Sequence, residues 1–165
     1  MTNYIFDVTS VPPLSKNKPR QVVVLCHGYG GDGKDISTLA INWQRFLPDA
    51  IFLCPNAPEV CAVNLQGYQW FDLTSENEKA ILEKSLIAEE KINTFLDQIF
   101  DNFQLEPTNL ALVGFSQGCM INIQVGLKKK EQINCILGYS GKVINQKHLS
   151  ENINSKPKIF LMHGA

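Results

Sequence analysis

Five short apolar runs punctuate the chain, at residues 21–27 (QVVVLCH), 50–54 (AIFLC), 109–115 (NLALVGF), 133–139 (INCILGY) and Lys158–Met162 (KIFLM). None alternates polar with apolar positions, and several are rich in β-branched residues. Strands buried on both faces read this way, which is the habit of parallel sheets. The segments between them follow a different period. Ile36, Leu39, Ala40, Trp43, Phe46 and Leu47 recur at three- and four-residue steps, as do Leu82, Leu86, Ile92, Phe95, Leu96, Ile99 and Phe103. Both sets predict amphipathic helices. Ser75 and Glu78 stand at capping-box spacing ahead of the second, and Cys119, Met120, Ile123 and Leu127 predict a third. Strand–helix alternation implies right-handed βαβ units and a mostly parallel sheet with helices on both faces, the α/β class. Chemistry in such sheets gathers at the carboxyl ends of the strands.

No repeat or long linker interrupts this order, so residues 1–165 read as one domain, with residues 11–20 a proline-punctuated lead-in. Fifteen basic and sixteen acidic side chains nearly cancel, leaving no field to recruit nucleic acid or an anionic membrane. The basic cluster Lys128-Lys129-Lys130 falls where the third helix should end, and is expected to be a solvated helix terminus. The N-terminal sequence does not read as a secretory signal, and no apolar stretch approaches the roughly 18 residues that span a bilayer. Five dispersed cysteines without CxxC spacing suggest reduced, buried thiols and a cytoplasmic location. His27, His148 and His163 lack metal-ligand spacing, so no metal is expected.

Two motifs stand out at strand ends. Gly114-Phe115-Ser116-Gln117-Gly118 is a G-x-S-x-G sequence between an apolar strand and a helix. There the serine occupies a strained turn, flanking glycines allow strand and helix to approach, and the helix start offers N–H groups to an oxyanion. The bland alternative is an ordinary strand-to-helix turn with Ser116 as a cap. Cys26-His27-Gly28-Tyr29-Gly30-Gly31-Asp32-Gly33 follows the first apolar strand. A glycine-rich loop here can aim a second N–H at the same oxyanion, the pair being the backbone N–H groups of Tyr29 and Gln117. Its spacing fits neither a dinucleotide-binding nor a Walker A motif, so no nucleotide is expected.

LCHGYGGDG, CPNAP, YQWFDL, GFSQG and IFLMHG, in that order, resemble the landmarks of the phospholipase/carboxylesterase family of α/β-hydrolases, which includes acyl-protein thioesterases. The resemblance runs from about Gln21 to the last residue. It implies cofactor-free hydrolysis of small esters, thioesters or lysophospholipids by a Ser-Asp-His triad. It carries the nucleophile onto Ser116 and the oxyanion donors onto Tyr29 and Gln117. Trp70 would line the acyl pocket and Asp72 support it, with core packing an equal alternative for either. The family's catalytic aspartate and histidine follow the His-Gly at the end of the fifth strand, whereas this sequence stops at His163-Gly164-Ala165. The expectation is therefore a C-terminally truncated domain, lacking the last strand and helix of the fold. Of the resident histidines, His27 is expected to brace the glycine loop. His148 falls in a polar loop, and His163 lies on the correct edge of the sheet. A competing reading is a catalytically inactive remnant, or a binding module, because the triad acid and base are absent. A lipase or peptidase with a cap domain is disfavoured by the short segments between strands. Truncation would also leave Lys158–Met162 as an exposed apolar edge, predicting low stability or self-association.

Overall fold

The computed structural model describes residues 4–164. In chain order the elements are β1 (Val8–Val11), β2 (Gln21–Cys26), α1 (Gly33–Trp43), β3 (Ala50–Pro55), β4 (Glu59–Cys61), β5 (Asn64–Gln69), α2 (Glu78–Phe103), β6 (Leu110–Phe115), α3 (Gln117–Lys128), β7 (Cys135–Tyr139), α4 (Gln146–Glu151) and β8 (Lys158–Met162). The five apolar runs become β2, β3, β6, β7 and β8, all parallel, in a six-stranded sheet ordered β1-β3-β2-β6-β7-β8. The sixth strand, β1, closes one edge antiparallel to β3. β4 and β5 form a separate hairpin, joined to the glycine loop where Tyr68 N–H donates to Gly31 O and Tyr68 O accepts from Gly30 N–H.

Alternate residues of each strand feed two cores. Val22, Val24, Leu53, Leu110, Leu112 and Ile136 face α2 and α3, whereas Val23, Leu25, Phe52 and Val113 face α1. The two sets explain why the strands read as continuous apolar runs, since each face must bury its half. The α1 side covers the β1–β3–β2 half of the sheet. Beyond β6, Phe115, Phe160 and Met162 on the same face stay exposed. Every residue of β8 is exposed, Phe160 to 54%, and no described strand pairs with its outer edge.

Local expectations are corrected in four places. α1 ends at Trp43, because three turn residues and Pro48 intervene before β3, and Phe46 lies exposed beneath the Arg45 guanidinium. The cap of α2 is Asn77, whose side chain accepts from the backbone of Lys79 and Ala80; Ser75 instead accepts from Asn77 N–H. α3 is buried on nearly all sides rather than amphipathic, being packed against β6 and β7, α2 and α4. The Lys128 ammonium is not solvated. It donates to Glu89 Oε2 (2.8 Å), a carboxylate that also accepts from Gln124 Nε2 (2.8 Å), and the pair ties α2 to α3.

Candidate active site

The site is built where β2 and β6 end side by side, Cys26 opposite Gly114. Ser116 follows β6 with φ 52° and ψ −112°, a conformation that glycine adopts freely and L-residues rarely do. Its geometry is held from outside. Ser116 N–H donates to Tyr139 O (2.7 Å) at the end of β7, and Ser116 O accepts from Met120 N–H (3.1 Å) in the first turn of α3. The flanking glycines are sterically required. A Cβ at Gly114 would collide with the backbone of Gly118 and Cys119, and one at Gly118 with the carbonyl groups of Cys26 and His27. Those contacts place the start of α3 directly against the end of β2.

The glycine loop leaves β2 over this turn. A Cβ at Gly28 would stand 3.0 Å from the Phe115 ring, and Gly30 has φ 78°. Among the described residues, neither Tyr29 N–H nor Gln117 N–H donates to a protein acceptor. Gln117 is the first residue of α3, so its N–H has no helical partner and carries the positive end of the helix dipole.

His27 is buried, and its proton position is fixed by its partners. Nε2 accepts from Ala57 N–H (3.0 Å), so Nδ1 carries the hydrogen and donates to Gly28 O (2.8 Å). Burial lowers its pKa, against the upward pull of the Gly28 carbonyl and Asp32. With Nδ1 engaged by the Gly28 carbonyl and Nε2 by Ala57 N–H beyond β3, this imidazole has no nitrogen left to meet Ser116. His148 Nε2 lies 3.3 Å from Lys128 Nζ, between α3 and α4. His163 Nε2 donates to Gly141 O (2.7 Å), and Gly141 packs on the Ser116 carbonyl. No imidazole among the described residues hydrogen-bonds the Ser116 hydroxyl.

Trp70 lies in the core at 1% exposure, edge-on to Phe6, with its indole N–H donating to His27 O (2.9 Å). Asp72 accepts from Lys84 Nζ and from Thr74 N–H, bonds that hold its pKa down to about 2. Sequence reasoning missed the Gln117 side chain. Oε1 accepts from Trp70 N–H (2.9 Å) and Nε2 donates to Phe71 O. A cavity of about 490 Å³ opens beside Gly28 and Phe115, walled by Ile36, Leu39, Trp43 and Tyr139. All five cysteines are free thiols and four are buried; burial pushes Cys54 up to about 12 and Cys26 higher. Burial raises Cys119 and Cys135 as well, which keeps Cys26, Cys54, Cys119 and Cys135 as thiols rather than thiolate nucleophiles. No group of three or more metal-ligating side chains occurs among the described residues, and no described helix is long and apolar enough to cross a membrane.

The arrangement pairs a half-buried serine on a strained turn with a helix-start N–H and a glycine-loop N–H that no protein acceptor occupies, a set of groups that suits acyl transfer. Comparison with known proteins points the same way. Residues 11–165 match the phospholipase/carboxylesterase family. Acyl-protein thioesterase 1 of Aspergillus fumigatus is 30% identical over 175 residues, covering 93% of this chain and 69% of that protein. Its counterpart in Schizosaccharomyces pombe is 29% identical over 128 residues, covering 72% and 54%. Among solved structures, esterase PE8 superposes with a TM-score of 0.90 at 36% identity, covering 96% of this chain and 74% of that one. A carboxylesterase of Bacillus cereus shares the fold at a TM-score of 0.73 and 16% identity, covering 98% and 85%.

Proposed function

Because this chain belongs to the phospholipase/carboxylesterase family of hydrolases, we propose that it cleaves small carboxylic esters or thioesters through an acyl-enzyme on Ser116. The observation that carries this reading is the conformation of Ser116, held at φ 52° between two glycines that tolerate no side chain. Nothing in packing alone demands a non-glycine residue there. In the first step Ser116 Oγ bonds to the acyl carbon, and the carbonyl oxygen takes the negative charge between Gln117 N–H and Tyr29 N–H. Collapse breaks the C–O or C–S bond, and the alcohol or thiol leaves with the serine proton. Water then attacks the acyl-enzyme, releasing the acid and returning a proton to Ser116. The relatives described as acyl-protein thioesterases favour a thioester as one substrate class, with lysophospholipids a further ester class of the family.

A second reading, a chain that keeps the fold without turnover, is favoured by one observation: no described imidazole meets the Ser116 hydroxyl. Hydrolysis of a short p-nitrophenyl ester and a short acyl thioester, beside Ser116→Ala, separates the two. A rate that falls to background in the variant supports the acyl-enzyme. Equal rates in two well-folded proteins support the inactive form. The exposed edge of β8 supports self-association as well, because unpaired backbone and apolar side chains coincide there. Sedimentation should show concentration-dependent association that Phe160→Lys weakens. A monomer at all concentrations would exclude it.

A further inference from the structure

We propose that the side-chain amide of Gln117 is a positioning residue that sets both oxyanion donors at once, its own N–H directly and that of Tyr29 through Trp70. This rests on the acyl-enzyme reading, in which Gln117 N–H and Tyr29 N–H receive the oxyanion. The amide is fully buried at 0% exposure, where an unsatisfied polar group would be costly. It makes a reciprocal pair with the 70–71 backbone, Oε1 accepting from Trp70 N–H and Nε2 donating to Phe71 O. A methionine would fill the same volume without partners, so filling the core does not by itself call for an amide.

The path onward is continuous. Trp70 is fixed by that pair and does two things to the glycine loop. Its indole N–H donates to His27 O (2.9 Å), and its ring lies against the His27 imidazole, centroids 5.5 Å apart at 32°. That imidazole donates from Nδ1 to Gly28 O (2.8 Å), while Gly31 N–H reaches the same oxygen (3.0 Å). The Gly28–Tyr29 peptide is planar and trans, so a carbonyl held by two donors fixes the opposed N–H, which is that of Tyr29. Gln117 thus joins the helix start to the loop across the acyl site. Catalysis is sensitive to such placement, since donors must sit within about 2.7–3.1 Å of the developing charge.

The test uses the full chain, ¹⁵N-labelled, as wild type, Gln117→Met, Trp70→Phe and the double variant. Two readouts are taken: p-nitrophenyl ester kinetics, and the Tyr29 amide and Trp70 indole resonances with their hydrogen exchange. Gln117→Met should melt cooperatively, lose roughly 10–100-fold in kcat with KM within about threefold, and move and deprotect the Tyr29 amide. Trp70→Phe should do the same. The double variant should be no worse than the worse single one, because the residues act in series. Multiplying losses, or a Tyr29 amide unmoved by Gln117→Met, would overturn the proposal. If Gln117→Met fails to fold, Gln117→Glu is read identically, as it keeps the acceptor and, when ionised, loses the donor to Phe71. Hydrolysis independent of Ser116 would remove the acyl-enzyme reading alone; the coupling would still stand or fall on the Tyr29 amide.

Discussion

Replacing Ser116 by glycine should make this protein more stable, against the usual effect of glycine. At φ 52° and ψ −112° a Cβ is strained, and such backbone outliers cost on the order of 1–3 kcal/mol. Glycine removes that strain but enlarges the unfolded ensemble, losing about 0.4–1 kcal/mol relative to alanine. Ser116→Ala retains the Cβ and the strain. It removes only a hydroxyl that makes no capping bond, so it should stay within about 0.5 kcal/mol of wild type. The expected order is Gly above Ala by about 1 kcal/mol. At 165 residues this raises Tm by roughly 2–4 °C. With m near 1–3 kcal/mol/M it raises the urea midpoint by roughly 0.3–1 M. Urea titration of the three proteins, followed by circular dichroism with m held in common, measures it. Thr38 supplies the control. It is an exposed position inside α1, where Ala should exceed Gly by about 1 kcal/mol. If Ser116→Gly also falls below Ser116→Ala by that amount, the turn is unstrained and the argument from its conformation fails.

Three further outcomes follow from the packing and the charges. Gly118→Ala should cost about 3 kcal/mol or more, because its Cβ would meet the Cys26 carbonyl and push α3 off β2; a thermal melt within 2–4 °C of wild type, roughly 1 kcal/mol, would contradict the close approach. Asp72 has its pKa lowered to about 2 by the Lys84 bond and the Thr74 bonds, so it contributes stability above the unfolded carboxyl value near 4 and loses it as pH falls towards 2. Asp72→Asn should therefore flatten the dependence of Tm on pH between about 4 and 2, and an unchanged slope there would count against it. Lys128→Met should cost about 3–5 kcal/mol by leaving Glu89 buried with Gln124 alone, whereas the double Glu89→Leu, Lys128→Met should recover most of the loss in the same urea titration. Equal losses in single and double variants would mean that the pair is not coupled.

β2, β3, β6 and β7 were legible because burial in the sheet leaves little room for polar positions, β8 because its run is apolar although exposed, and the serine turn because only glycine fits at 114 and 118. Elements outside the central layer left weaker traces. β1 (VTSV) is short and half polar, as an edge strand can be, β4 has three residues, and β5 is polar at half its positions and exposed over its first half. α4 has one buried residue, Leu149, too few for a period. The start of β7 was read two residues early because Ile133 is buried without being paired. For Gln117 the backbone role followed from its place at the helix start. The role of its side chain depends on Trp70 and Phe71, 47 and 46 residues away, and no local pattern records that meeting. Lys128 misled for a similar reason. A lysine at a helix end is ordinarily solvated, and only the approach of α2 brings Glu89 to it.

The strand order has a consequence for synthesis. After β1 and β3 have closed one side, β6 docks on the free edge of β2, and β7 and β8 then each dock against the strand before them. A chain emerging N-terminus first can therefore complete the β1–β3–β2 half with α1 while β6 is still unmade. The glycine loop is present in that early half, but the strained serine is not. Even after β6 arrives, Ser116 N–H lacks its acceptor until Tyr139 at the end of β7 is in place. The nascent protein can thus build a scaffold first and install its strained serine late, when neighbours on both sides can hold it.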